Sequence, residues 1–195
     1  LYTRSKKRGS VERILKILVN HGAVEDIMID THPHIGTNKL PKIIARMREN
    51  ILSHGGEIHF GCRVENVIIK ESKIKGVVDQ NGNKILGHSV ILATGHSARD
   101  IFYLLKQHNL KIEAKPFALG VRIEHPQTII DKAQYHCNVR SKYLPAASYK
   151  FVQQVNGKGV FSFCMCPGGH IVPSATETGE VVVNGMSASS RSSRY

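Results

Sequence analysis

The strongest constraint in this chain is a continuous apolar run, Ser89-Val90-Ile91-Leu92-Ala93, that ends at Thr94-Gly95. A strand with no polar alternation is expected to be buried on both faces, as in the centre of a parallel sheet. The Ala93-Thr94-Gly95 turn would then lie at the carboxyl edge of that sheet, where open α/β sheets bind ligands. A residue without a Cβ at position 95 lets the main chain come close to a ligand. Ending a strand is the plainer role of the same glycine.

The segments before this run have a recognisable order. Ile43, Ile44, Met47, Ile51 and Leu52 recur at helical spacing, which predicts a helix over 40–54 with Pro41 in its first turn and Gly55-Gly56 as its stop. A short strand over 57–60 follows, then a meander over 64–70, 73–80 and 84–86. Glu71-Ser72 and Asn81-Gly82-Asn83 are its turns. Nearer the start, Val11, Ile14, Leu15 and Leu18 predict a helix over 11–21, capped by Ser10 and ended by Gly22. A strand-like run at 27–29 leads into a loop over 30–38. Beyond Gly95, a helix is expected over 100–107, with Arg99 and Asp100 at its start in a capping role. From Pro116 onward the segments shorten into strands at 118–123, 147–155, 160–165 and 181–183, so the second half reads as a mostly antiparallel sheet.

Charge enters because it names candidate partners. Twenty-seven basic residues face fifteen acidic ones, a net charge of +12. Such a balance suits nucleic acid, anionic lipid or phosphorylated ligands. The basic residues are scattered, however, apart from Arg4, Lys6, Lys7 and Arg8. Aromatic residues make up only 6% and do not interleave a basic stripe. Solvated surface charge is therefore preferred, and nucleic acid is not the expected partner. No run of 18 apolar residues exists to span a membrane. No signal peptide is recognised, and the four cysteines lack a secreted-scaffold spacing, so a cytoplasmic location with reduced thiols is expected. Both ends read as cut.

Several phrases taken together resemble one superfamily. They are His34-Ile35-Gly36-Thr37, Gly55-Gly56-Glu57-Ile58-His59-Phe60, Val90-Ile91-Leu92-Ala93-Thr94-Gly95, Cys164-Met165-Cys166-Pro167-Gly168-Gly169 and Asn184-Gly185-Met186-Ser187. In this order they resemble the two-dinucleotide-binding flavoproteins, and more narrowly their uncharacterised FAD-dependent dehydrogenases. The resemblance implies an α/β fold with a partial FAD/NAD(P)-binding, Rossmann-like domain containing the meander over residues 1–112. It also implies a β-rich substrate domain over 113–195. It implies FAD as cofactor, a hydride passed between flavin and a small-molecule substrate, and leaves NAD(P)H participation open. A flavoprotein that acts on tRNA and a non-catalytic interaction domain are the alternatives. The G-x-G-x-x-G that holds the FAD pyrophosphate in such proteins does not occur here. The resemblance places it, with the ribose-binding acid, before Leu1, and a closing Gly-Asp segment after Tyr195. This chain alone is thus expected to be inactive and free of flavin, with the missing parts of the same chain as its partners.

The resemblance also carries candidate residues. Ala93, Thr94 and Gly95 are expected against FAD, and the main chain of Val64 against its adenine, although a core valine explains Val64 equally well. Gly168 and Gly169 form a loop able to pass near a flat ring; a plain turn is the rival reading. Cys166 is redox-active, a ligand, or part of that turn, and C-x-C without a second cysteine pair is poor evidence for zinc. His34 and His170 are candidates for orienting substrate or flavin, against ordinary surface histidines. His32 and His34 flank Pro33 without a third ligand in view, so no metal site is expected. No nucleophile-elbow triad is present, which is no objection where a cofactor does the chemistry.

Overall fold

The computed structural model describes residues 9–30, 33–95, 97–162, 165–175 and 177–191. Among the described residues the chain is a mixed α/β protein with antiparallel sheets, one of three strands and two of two strands. It divides into two compact units, one comprising Glu57–Leu119 and the other the residues up to Gly56 and from Gly120 onward.

The Glu57–Leu119 unit is the meander and one helix. β1 (Val64–Lys70), β2 (Lys73–Asp79) and β3 (Lys84–Leu86) pair in sequence order. Glu71 and Ser72 both take positive φ, which matches the right-handed twist of a two-residue hairpin. The second turn is tied by Asp79, whose Oδ1 accepts from the main-chain N–H of Asn81 (2.9 Å) and Asn83 (2.8 Å). Helix α3 (Arg99–Gln107) lays Ile101 and Leu104 on Val67, with Ile69, Ile74 and Val77 around them. Asp100 stands in the first turn, where the helix dipole favours an acid. The cap itself is Ala98, without a side-chain hydrogen bond, so the expected capping by Arg99 and Asp100 is corrected to a first-turn charge.

In the other unit, α1 (Val11–Asn20) and α2 (Leu40–Ser53) flank a 3-10 turn at Glu25–Met28. Leu15, Ala23, Ile27 and Ile43 make the core, with Met47 against it. Ile27 is 1% exposed. The strand expected at 27–29 is therefore a helical turn, which inserts Ile27 into the helix pair. Ser10 sits at the cap of α1 without the expected side-chain hydrogen bond, while Gly22 follows at φ +102°. From Gly120 come α4 (Gln127–Tyr135), the hairpin β4 (Val152–Val155) with β5 (Lys158–Phe161), and the hairpin β6 (Gly169–Pro173) with β7 (Val183–Ser187).

Several expected strands are absent. Residues 57–60, 89–93 and 118–123 form no ladder, and Ile91 and Leu119 are 90% and 92% exposed. A strand exists only through a partner backbone, and no described segment supplies one to these three. The expected buried central strand is thus an exposed segment here, and no parallel pairing supports a Rossmann order among the described residues. The strands expected at 147–155, 160–165 and 181–183 shrink or shift to β4, β5 and β7. Helix α4 escaped the sequence pattern because two of its three inward residues, Gln127 and Asp131, are polar.

Candidate functional site

Three separated segments meet around the end of β7. The loop at 33–38, the turn at 166–169 and residues 184–191 are tied by main-chain and side-chain hydrogen bonds. Thr37 donates twice to the carbonyl of Ser187, from its N–H (3.0 Å) and its hydroxyl (3.1 Å). Asn38 pairs with Ser189 in both directions, Oδ1 accepting from the main-chain N–H (2.9 Å) and Nδ2 donating to Oγ (3.2 Å). His34 directs Nε2 at the Ala188 carbonyl (3.4 Å) and lies 3.5 Å from Ser187 Oγ. Ser187 is 4% exposed.

Burial holds His34 below the usual imidazole range, and the positive charge of Arg191 lowers it further; the Ala188 carbonyl offsets part of this. A neutral imidazole that uses Nε2–H toward a carbonyl keeps Nδ1 as an acceptor. His34 can therefore receive a proton at that atom or accept a hydrogen bond from a ligand.

The glycines of this junction are required by the chain itself. A Cβ on Gly36 would collide with the main chain of Ser189. On Gly168 it would collide with the carbonyl of Arg191, and on Gly169 with that of Met186. Gly168 also takes φ +62°. Beside Gly185 the same position is bordered by Arg122 Nη1 (2.8 Å) and Cys166 Sγ (3.2 Å). Arg122 donates to Asn184 Oδ1 (3.0 Å). Cys166 is a half-buried thiol that, like the Arg122 guanidinium, borders Gly185. His170 pairs with Met186 in the β6–β7 ladder and is exposed. Cys164 and His32 lie outside the described residues.

Beside this junction, a cleft of about 520 Å³ is lined by Thr37, Leu40, Pro41, Ile44, Ala45, Arg48 and Met186.

The Glu57–Leu119 unit places the other candidates. Val64 opens β1 and lines a cleft of about 330 Å³ with Arg63, Glu65, Asp100, Ile101 and Leu104. Ala93, Thr94 and Gly95 lie in the exposed segment. Gly95 has φ +75°, and among the described residues no heavy atom beyond its chain neighbours comes within 4 Å of where its Cβ would stand. Gly168 and Gly169 show no such opening at the Cβ position. Among the described residues no cluster of three His, Cys, Asp or Glu side chains could hold a metal.

Sequence reasoning passed over Ser187, Arg122, His125 and Tyr149. The first lies inside the Asn184–Ser187 phrase and was detectable there. The others carry no local signal, because their partners lie 24 to 62 residues away.

The comparisons with known proteins fit this frame. Residues 116–195 match the family described as FAD-dependent protein, C-terminal domain-like. A Clostridium beijerinckii protein named only "Uncharacterized protein" is 41% identical over 180 residues, covering 91% of this chain and 34% of its own length. A 4,4'-diapophytoene desaturase (4,4'-diapolycopene-forming) of a Methylomonas species is 29% identical over 105 residues, 54% of this chain and 18% of that enzyme. The chain therefore spans about a third or less of the relatives it matches. Residues 116–195 are thus similar to a domain of FAD-dependent proteins. No helix among the described residues is long and apolar enough to cross a membrane.

Proposed function

We propose that this chain is part of an FAD-dependent dehydrogenase that moves a hydride between a small-molecule substrate and flavin. The observation that carries the reading is the match of residues 116–195 to the FAD-dependent family, in the stretch that contributes the Gly168–Gly169 turn and β7. Val64 and the open turn at Ala93, Thr94 and Gly95 would hold FAD through main-chain groups. Flavin, when bound, supplies the hydride acceptor. The β7 junction, in the other unit, offers its own chemistry: His34 can hold or release a proton at Nδ1, and the glycines of the 166–169 turn keep the chain close-packed there. The division into a flavin-binding part up to residue 112 and a substrate part from 113 belongs to the same proposal, as does a cytoplasmic location.

No G-x-G-x-x-G occurs in these 195 residues, so they do not bring the usual pyrophosphate contacts. The isolated chain is expected to purify colourless, and the full-length protein to purify with FAD, identified after release by chromatography. Stoichiometric FAD on the isolated chain would contradict the division of the site. A full-length protein that neither purifies with FAD nor takes it up would contradict the dehydrogenase reading and favour an interaction domain.

A further inference from the structure

A second constellation lies away from the β7 junction. His125 Nε2 and the Tyr149 hydroxyl are 3.0 Å apart, with the rings edge to face at 5.9 Å. Tyr149 in turn stacks on Phe151, centroids 6.2 Å apart and planes within 12°. Both His125 and Tyr149 are half-buried, and Phe151 is 48% exposed, so the group is reachable from solvent.

What distinguishes this group from an incidental surface contact is how it is held. Asp131, 5% exposed on α4, accepts from the main-chain N–H of Ala147 (2.9 Å), from Gln127 Nε2 (2.9 Å) and from Arg140 Nε (2.9 Å). Gln127 also donates to the Ala147 carbonyl (3.0 Å). Residues 127 and 147 are thereby locked together through a buried polar network. Two residues outward along each strand of chain lie His125 and Tyr149. The Tyr149 N–H is taken by Met165 Sδ (3.4 Å), and Phe151 exchanges two hydrogen bonds with Ser162. Burial alone would raise Asp131, yet the hydrogen bonds from Ala147 and Gln127 and the Arg140 charge outweigh it and keep the carboxyl below its usual range. A buried ionised network is costly and commonly fixes geometry rather than adding stability. Positioned polar groups on a rigid support are what a binding site requires.

We propose that His125 and Tyr149 anchor the acidic O–H or N–H of a flat, conjugated ligand seated against the Tyr149 and Phe151 rings, with Asp131 as a positioning residue. Phenol and imidazole each donate and accept, so the pair can both receive that hydrogen and return one. The aromatic rings supply an apolar face for the rest of the ligand. The inference rests on the dehydrogenase reading only in naming this ligand as the substrate class.

The test uses the full-length protein and 4-nitrophenol, a planar phenol whose absorbance reports its ionisation. FAD content is measured first, then 4-nitrophenol is titrated. Tyr149→Phe and His125→Gln are each expected to weaken binding by about tenfold, the effect of one hydrogen bond to a polar or charged partner. Asp131→Asn is expected to weaken it while thermal unfolding stays cooperative. Tyr143→Phe, at an exposed tyrosine outside the group, should bind as the parent does. Equal binding by the parent, Tyr149→Phe and His125→Gln, or no binding at all, would overturn the proposal. A colourless protein that still binds in a Tyr149-dependent way would overturn the dehydrogenase reading while leaving the anchor intact.

Discussion

Glycine is needed in two regions of this molecule for opposite reasons. At the β7 junction, Gly36, Gly168 and Gly169 are required because their own chain presses on them, and any Cβ would strike a backbone atom. At the Ala93-Thr94-Gly95 turn nothing presses on Gly95, and only φ +75° asks for glycine. The first pattern belongs to packing, the second to a backbone that is bent and left uncovered. A glycine-rich phrase in a sequence does not say which of the two it is, and the distinction decides where a ligand can approach.

The largest effect should come from the crowded turn. Gly168→Ala adds a Cβ against the Arg191 carbonyl and strains a positive φ, a cost of about 2–4 kcal/mol. Denaturant unfolding should show it as a lower midpoint; an unchanged midpoint would mean that the 166–169 turn does not meet residue 191. Asp131→Ala comes next, at about 2–3 kcal/mol, since it strips buried donors on Ala147 and Gln127 of their acceptor. Hydrogen exchange localised to 145–149 would accompany it. Gly95→Val should cost about 1–2 kcal/mol at most, through the φ strain of a β-branched residue, while the apolar core stays intact.

The smallest effect is a pH dependence at the junction. The folded value of His34 lies below that of a free imidazole, about 6.5. As pH falls, the unfolded chain takes the proton first. The stability from neutral His34 is therefore complete above about pH 6.5 and is lost as pH drops through the folded value. His34→Gln should flatten this part of the stability profile; a variant that follows the parent profile would place the titration elsewhere.

The legible and illegible parts of this fold divide along the same physical line. The meander, α2 and α3 were readable because turn residues such as Glu71-Ser72 and Asn81-Gly82-Asn83, or the spacing of Ile43 and Met47, fix them locally. Segments 89–93 and 118–123 carry a strand-like composition, but a ladder is a property of two segments, and the second is not among the described residues. The 27–29 run was misread because three apolar residues do not separate a strand from a helical turn. At the site, the phrases containing His34, Gly168, Gly169 and Ser187 were visible singly. That they converge depends on hydrogen bonds spanning about 150 residues, which no local pattern encodes. The His125–Tyr149 pair had no local signal, because its members lie 24 residues apart.

The central claim is that the open turn at Gly95, and not general stability, governs flavin retention. It is tested by the FAD-to-protein ratio of full-length Gly95→Val beside Gly22→Val, with melting temperatures for both. Gly22 also has a positive φ, but it ends α1, and the atoms nearest a Cβ there belong to the movable Arg46 side chain. The account predicts that Gly22→Val melts lower yet keeps its FAD, whereas Gly95→Val loses most of its FAD at a comparable melting temperature. Full flavin occupancy in Gly95→Val would contradict it.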